Sequence, residues 1–122
     1  MNISIDYDGC YTEHKDYFDL MAKAMQATGN KVGIITGVRE VDNINGRVVN
    51  RKSEILQNLG FTPDFIHMWG ETETIGNSNL WKALRMDMEE VVVHYDDDAT
   101  EIKRYTDRWI IKVMNSADQD KF

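Results

Sequence analysis

At 122 residues the chain has room for one domain, and a hydrophobic share of 42% with three tryptophans suits a packed core rather than a disordered segment. Its formal net charge of −7 argues against a general binder of nucleic-acid backbones or anionic membrane surfaces, which favour basic partners. No apolar run approaches the roughly 18 residues of a membrane span, the acidic start with Asp6 and Asp8 does not read as a signal leader, and the single Cys10 excludes an internal disulfide and suits a reducing, cytoplasmic setting.

In chain order, Asn2 to Asp6 reads as a strand. His14 to Thr28 follows as a helix, with Phe18, Met21, Ala22 and Met25 at helical spacing and Gly29-Asn30 as its stop. Lys31 to Thr36 is a second strand, and Gly37 to Asn45 a polar loop. Arg47 to Leu59 reads as a helix with Val48, Ile55, Leu56 and Leu59 inward, stopped by Gly60. Pro63 to Trp69 is a shorter third strand and Glu71 to Ser78 a loop. Asn79 to Met86 is a helix, Glu90 to Asp96 a fourth strand, Ala99 to Thr106 a short helix and Trp109 to Val113 a fifth strand. The tail from Asn115 onward is polar.

This β-α alternation predicts an α/β fold with a mostly parallel five-stranded sheet covered by helices on both faces, a three-layer Rossmann-like arrangement within a single domain spanning 1–122. The C-terminal ends of parallel strands share one edge, where ligands bind near a topological switch point. Asp6, Asp8, Thr36, His67 and Asp96 all fall at or near such strand ends.

Two of those ends are acidic. ISIDYDGC closes the first strand on Asp6 and Asp8, and VVVHYDDD closes the fourth on Asp96, Asp97 and Asp98. Two unit charges about 4 Å apart repel by roughly 4 kcal/mol at an effective dielectric of about 20. Either the acids end their strands in solvent, or a divalent cation offsets the repulsion. Carboxylates without clustered His or Cys favour a hard, magnesium-like ion over zinc. Within each group the roles divide. Asp6 and Asp8 could supply a nucleophile and a proton handler. Asp96 or Asp97 is the better metal ligand, and Asp98 is expected to cap the following helix. Thr36 and Gly37 offer a hydroxyl and an amide to a phosphate oxygen. Arg39, Arg47, Arg51 and Lys52 form a locally basic stretch that suits an anionic substrate, and Lys82, preceding the fourth strand, could reach a phosphate. Cys10 and His14 lack an evident third group for a thiol dyad. His67 and His94 read as strand residues with local hydrogen bonds, and Trp69, Trp81 and Trp109 as core or rim. No GxxxxGK[ST] or GxGxxG motif is present.

Taken together, ISIDYDGC, IITG at Ile34 to Gly37 and VVVHYDDDATEI resemble, in order, the first, second and fourth motifs of the haloacid dehalogenase-like phosphatase superfamily. The resemblance implies a capless core, because neither usual insertion point has room for a cap domain. It is similar to the phosphatase half of polynucleotide kinase/phosphatase enzymes and to small phage-encoded members. It implies a Mg²⁺-dependent phosphomonoester hydrolase acting through an aspartyl-phosphate. Asp6 would be the nucleophile. Asp8 would be the general acid/base, with its main-chain carbonyl on Mg²⁺. Thr36, Gly37 and Lys82 would bind phosphate. Asp97, with Asp96, would complete a metal site shared with Asp6 and Asp8, and Glu101 would match the outlying acid. The implied partners are phosphorylated small molecules, nucleotides or nucleic-acid 3′ ends, with no membrane, and a second copy of the chain in a homo-oligomer is an alternative cover for the open site. Cys10 stands where the family commonly has Thr, and Lys82 lies closer to the fourth motif than the family places its lysine, with Arg51 or Lys52 as substitutes. That departure keeps open a second function, a phosphate- or metal-binding module without turnover. A phospho-acceptor receiver domain fits less well, because the third strand ends in His-Met-Trp.

Overall fold

Ile3 and Ile5 alternate with Ser4 and Asp6 along the first strand, and that period of two sets the plan of the molecule. The computed structural model describes residues 1–70, 76–107 and 111–116. Its elements are β1 (Asn2–Ile5), α1 (Lys15–Ala27), β2 (Lys31–Arg39), β3 (Val41–Ile44), β4 (Arg47–Asn50), α2 (Arg51–Asn58), β5 (Ile66–Trp69), α3 (Ser78–Met88), β6 (Val91–Asp96), α4 (Ala99–Thr106) and β7 (Lys112–Asn115). Five strands form one sheet in the order β5-β2-β1-β6-β7, and every pairing in it is parallel. The chain builds outward from β1 to β2 and β5, then crosses to β6 and β7 on the other side. The direction therefore reverses between β1 and β6, which is where open parallel sheets hold ligands.

Helices cover both faces, as expected for a three-layer α/β arrangement. On one face Ile3, Ile5, Val32 and Ile34 pack with Phe18 and Ala22 of α1 and Ile55 of α2. On the other, Ile35, Val91 and Val113 pack with Trp81 and Met86 of α3 and Ile102 of α4. Val91 and Val93 serve opposite faces because the β1–β6 register slips one residue after Asn2. Inner positions of α1 recur at helical spacing, and the helix ends in a left-handed Gly29 (φ 87°). There the Gly29 and Asn30 amides bond back to the Gln26 and Met25 carbonyls, satisfying acceptors at the helix end. Asn50 and Asn77 open α2 and α3 by accepting hydrogen bonds from Ser53 and from Asn79 and Leu80.

The stretch expected to be a loop and then a long helix is built differently. β2 continues through Gly37 to Arg39, and Val41–Ile44 and Arg47–Asn50 form an antiparallel hairpin. Its turn is Asn45-Gly46, both at positive φ (53° and 78°), the conformation that two-residue hairpin loops require. Val48 is therefore on a strand and 78% exposed, and Leu56 on the shortened helix is also exposed. The third strand begins at Ile66 rather than Pro63, and the helix expected from Asn79 runs from Ser78 to Met88. The last strand lies at Lys112–Asn115. Trp109 and most of the Glu71–Ser78 segment lie outside the described residues. Among the described residues no helix is long and apolar enough to cross a membrane.

Candidate active site

Ser4 on β1, Asp6 immediately after that strand, and His94 and Asp96 on β6 lie on the sheet side covered by α3. All four are buried, with Asp6 4% and Asp96 0% exposed. Lys82, on α3 and only 6% exposed, reaches down to both strand ends. Its Nζ lies 3.0 Å from Asp96 Oδ2 and 3.4 Å from Asp6 Oδ1. Five polar side chains inside an apolar sandwich are tolerable only when they are paired. Here they are: His94 Nε2 lies 2.9 Å from Asp96 Oδ2, the Asp98 amide donates to Asp96 Oδ1 at 2.9 Å, and the Thr36 hydroxyl hydrogen-bonds Asp6.

Above this floor the backbone turns sharply. β1 stops at Ile5, and Tyr7–Tyr11 form a wide, non-helical turn with Asp8 extended (ψ 128°) and Gly9 left-handed, closed by Tyr11 N bonding Asp6 O and Thr12 N bonding Tyr7 O. Tyr7, Cys10 and Tyr11 enter the core, while Asp8 is carried out to the cleft mouth with its side chain 56% exposed. Asp6 and Asp8 therefore occupy different depths. Arg51, at the start of α2, holds Asp8 by contacts of 3.4 Å to both carboxylate oxygens and pairs with Glu54 at 2.8 Å. Gly9 (φ 77°) closes the turn, and a Cβ there would stand 2.6 Å from Asp97 Oδ2. The cleft, about 460 Å³, is lined by Asp6, Asp8, Thr36, Gly37 and Lys82, with Arg39, Asp42 and Arg51 toward the hairpin.

The carboxylates are unevenly charged. Burial first, then the charge of Asp96, pushes Asp6 up to about 7, against the opposing pull of Lys82. Burial also acts on Asp96, but the hydrogen bond from His94 and the charge of Lys82 outweigh it and hold Asp96 below the usual carboxylate range. Asp97 is raised by burial and by its neighbour Asp96. Lys82 is raised, because the two carboxylates outweigh its desolvation, and burial lowers His94. Oxygens of Asp6, Asp96 and Asp97 lie within 4.8 Å of one another. One ammonium leaves this triad short of positive charge, and the donors are all hard oxygens. The set could hold a hard divalent cation.

The sheet edge thus gathers the expected Asp6, Asp8, Thr36, Gly37, Lys82, Asp96 and Asp97. Thr36-Gly37 lies not at the end of β2 but at the register shift between Thr36 and Arg39 against β5. Other residues go elsewhere. Asp98 holds the N-cap position of α4, but its carboxylate accepts from Asn79 instead of capping. Glu101 pairs with Arg104, and Lys52 with Glu40. Cys10 is buried, donates to the Tyr95 carbonyl, and has its thiol pushed up by desolvation. Ser4, His94 and Asp42 are additions to the expected site, and the contact between Asp8 and Arg51 joins an expected acid to a residue expected as a substitute for the lysine. Ser4 and His94 each stand two residues before a site aspartate in an apolar strand, so period-two alternation could have found them. No protein-family model, curated protein or solved structure matches the chain.

Proposed function

We propose that this chain is a Mg²⁺-dependent phosphomonoester hydrolase of the haloacid dehalogenase-like type, working through an aspartyl-phosphate on Asp6. The observation that carries the proposal is Lys82, whose ammonium stands between Asp6 and Asp96 beneath a cleft with Asp8 at its mouth. That geometry favours turnover over a binding-only module, whose main support was the lack of a clear lysine.

An Asp6 oxygen attacks phosphorus, and the bond to the leaving oxygen breaks. Asp8, open to the mouth, gives that oxygen its proton. Water then attacks the phosphorus, Asp8 takes the water's proton, the bond to Asp6 breaks, and inorganic phosphate leaves. The Thr36 hydroxyl, the Gly37 amide and Lys82 hold the phosphoryl oxygens. Asp6, Asp97 and Asp96, with the Asp8 main-chain carbonyl, would hold magnesium, whose charge lets a carboxylate approach a phosphate dianion. The open cleft and the arginines on its hairpin side suit nucleotides or 3′-phosphate ends as well as small phosphomonoesters.

The test is a panel of aryl phosphates, mononucleotides and 3′-phosphorylated oligonucleotides, with and without Mg²⁺. Asp6→Asn is expected to lose at least about 10³-fold in kcat with the fold intact. Equal rates for mutant and wild type would refute the proposal.

A further inference from the structure

We infer that Ser4 and His94 form a buried relay that fixes the Asp96 carboxylate, which makes both of them positioning residues for the site. The catalytic consequence rests on the function proposed above; the relay does not. Ser4 and His94 are register partners on adjacent strands, and both are fully buried. Ser4 Oγ lies 2.7 Å from His94 Nδ1, and His94 Nε2 lies 2.9 Å from Asp96 Oδ2.

The donor directions follow from elementary chemistry. The Asp96 carboxylate accepts, so the ring proton of that contact is on His94 Nε2, and the Ser4 hydroxyl is placed to donate to Nδ1. Ser4 thereby selects the tautomer, and the tautomer aims a donor at Asp96.

The relay also meets Lys82. Asp96 Oδ2 receives both His94 and Lys82, while Oδ1 receives the Asp98 amide. Lys82 Nζ thus shares Asp96 Oδ2 with His94 at 3.0 Å while lying 3.4 Å from Asp6 Oδ1. Ser4 and His94 carry a desolvation cost that an aliphatic pair at the same two positions would avoid.

The test combines heteronuclear NMR of the metal-free protein with kinetics. The wild-type His94 ring is expected to carry its proton on Nε2, and Ser4→Ala to give a mixture of tautomers. His94→Leu should lower kcat by about tenfold or more with KM nearly unchanged. His94→Gln, which restores a donor toward Asp96, should recover most of that loss. A wild-type proton on Nδ1, or an unaltered kcat in a folded His94→Leu, would overturn the relay. If the wild-type protein shows no turnover on any phosphomonoester, the proposed function fails, and the ring spectrum decides the relay alone.

Discussion

Lys82 is shared by two buried carboxylates, and its removal should be felt first in stability. Lys82→Met leaves Asp96 and Asp6 without their cation, so it should cost about 3–5 kcal/mol by denaturant unfolding at neutral pH. Asp6 makes a second, pH-dependent prediction. Its folded pKa is raised from 3.8 to about 7, so its contribution to stability is fully present below pH 3.8 and is lost as pH rises through about 7. Metal-free wild type should therefore lose stability relative to Asp6→Asn as pH rises from about 4 to about 7. Mg²⁺ should remove that difference, because the cation replaces the missing positive charge. Unfolding curves across pH, with a chelator and with Mg²⁺, check both statements. Gly9 makes a third. Gly9→Ala forces an L residue to positive φ and puts a methyl against Asp97, so it should cost at least about 1–2 kcal/mol and weaken Mg²⁺ binding measured by calorimetry. The acidic residues were legible because charge is conspicuous at the end of an apolar strand. The pairing of Lys82 with Asp6 was not, since it depends on where α3 crosses the sheet.

Among the elements, α1 anchors the core and the β3–β4 hairpin forms the cleft's outer side. Phe18→Ala, at a fully buried position of α1, should cost about 3–5 kcal/mol, whereas Val48→Thr on the exposed hairpin should change stability by less than about 0.5 kcal/mol. Thermal or urea unfolding of the two variants checks the contrast. The contrast also shows why one element was readable and the other misread. Phe18 and Ala22 recur at helical spacing and bury together, so pattern and packing agree. Between Gly37 and Asn50 the polar residues obscured a short hairpin, although Asn45-Gly46 between Val41–Ile44 and Val48-Val49 is itself a hairpin signal. Reading Arg47 as helical moved the start of α2 by four residues and turned Val48 inward. The true start, capped by Asn50, is what brings Arg51 to Asp8.

For the whole molecule, the decisive feature is the strand order. Residues far apart in the chain become neighbours because β1 lies between β2 and β6, so Asp6, Thr36 and Asp96 end on one edge beside the switch point. The alternation of strands and helices was sufficient to anticipate that convergence. It could not supply the depth difference between Asp6 and Asp8, which arises from the wide turn over Tyr7–Tyr11. In the proposed reaction that difference separates an attacking carboxylate on the cleft floor from a proton donor at its mouth. The most direct test is to quench the protein in acid during turnover of a phosphomonoester with Mg²⁺ and to locate any covalent phosphoryl group by peptide mass spectrometry. The account predicts the label on Asp6 in wild type and none in Asp6→Asn. Trapping the phosphoryl group on another residue, or an equally labelled Asp6→Asn protein, would contradict it.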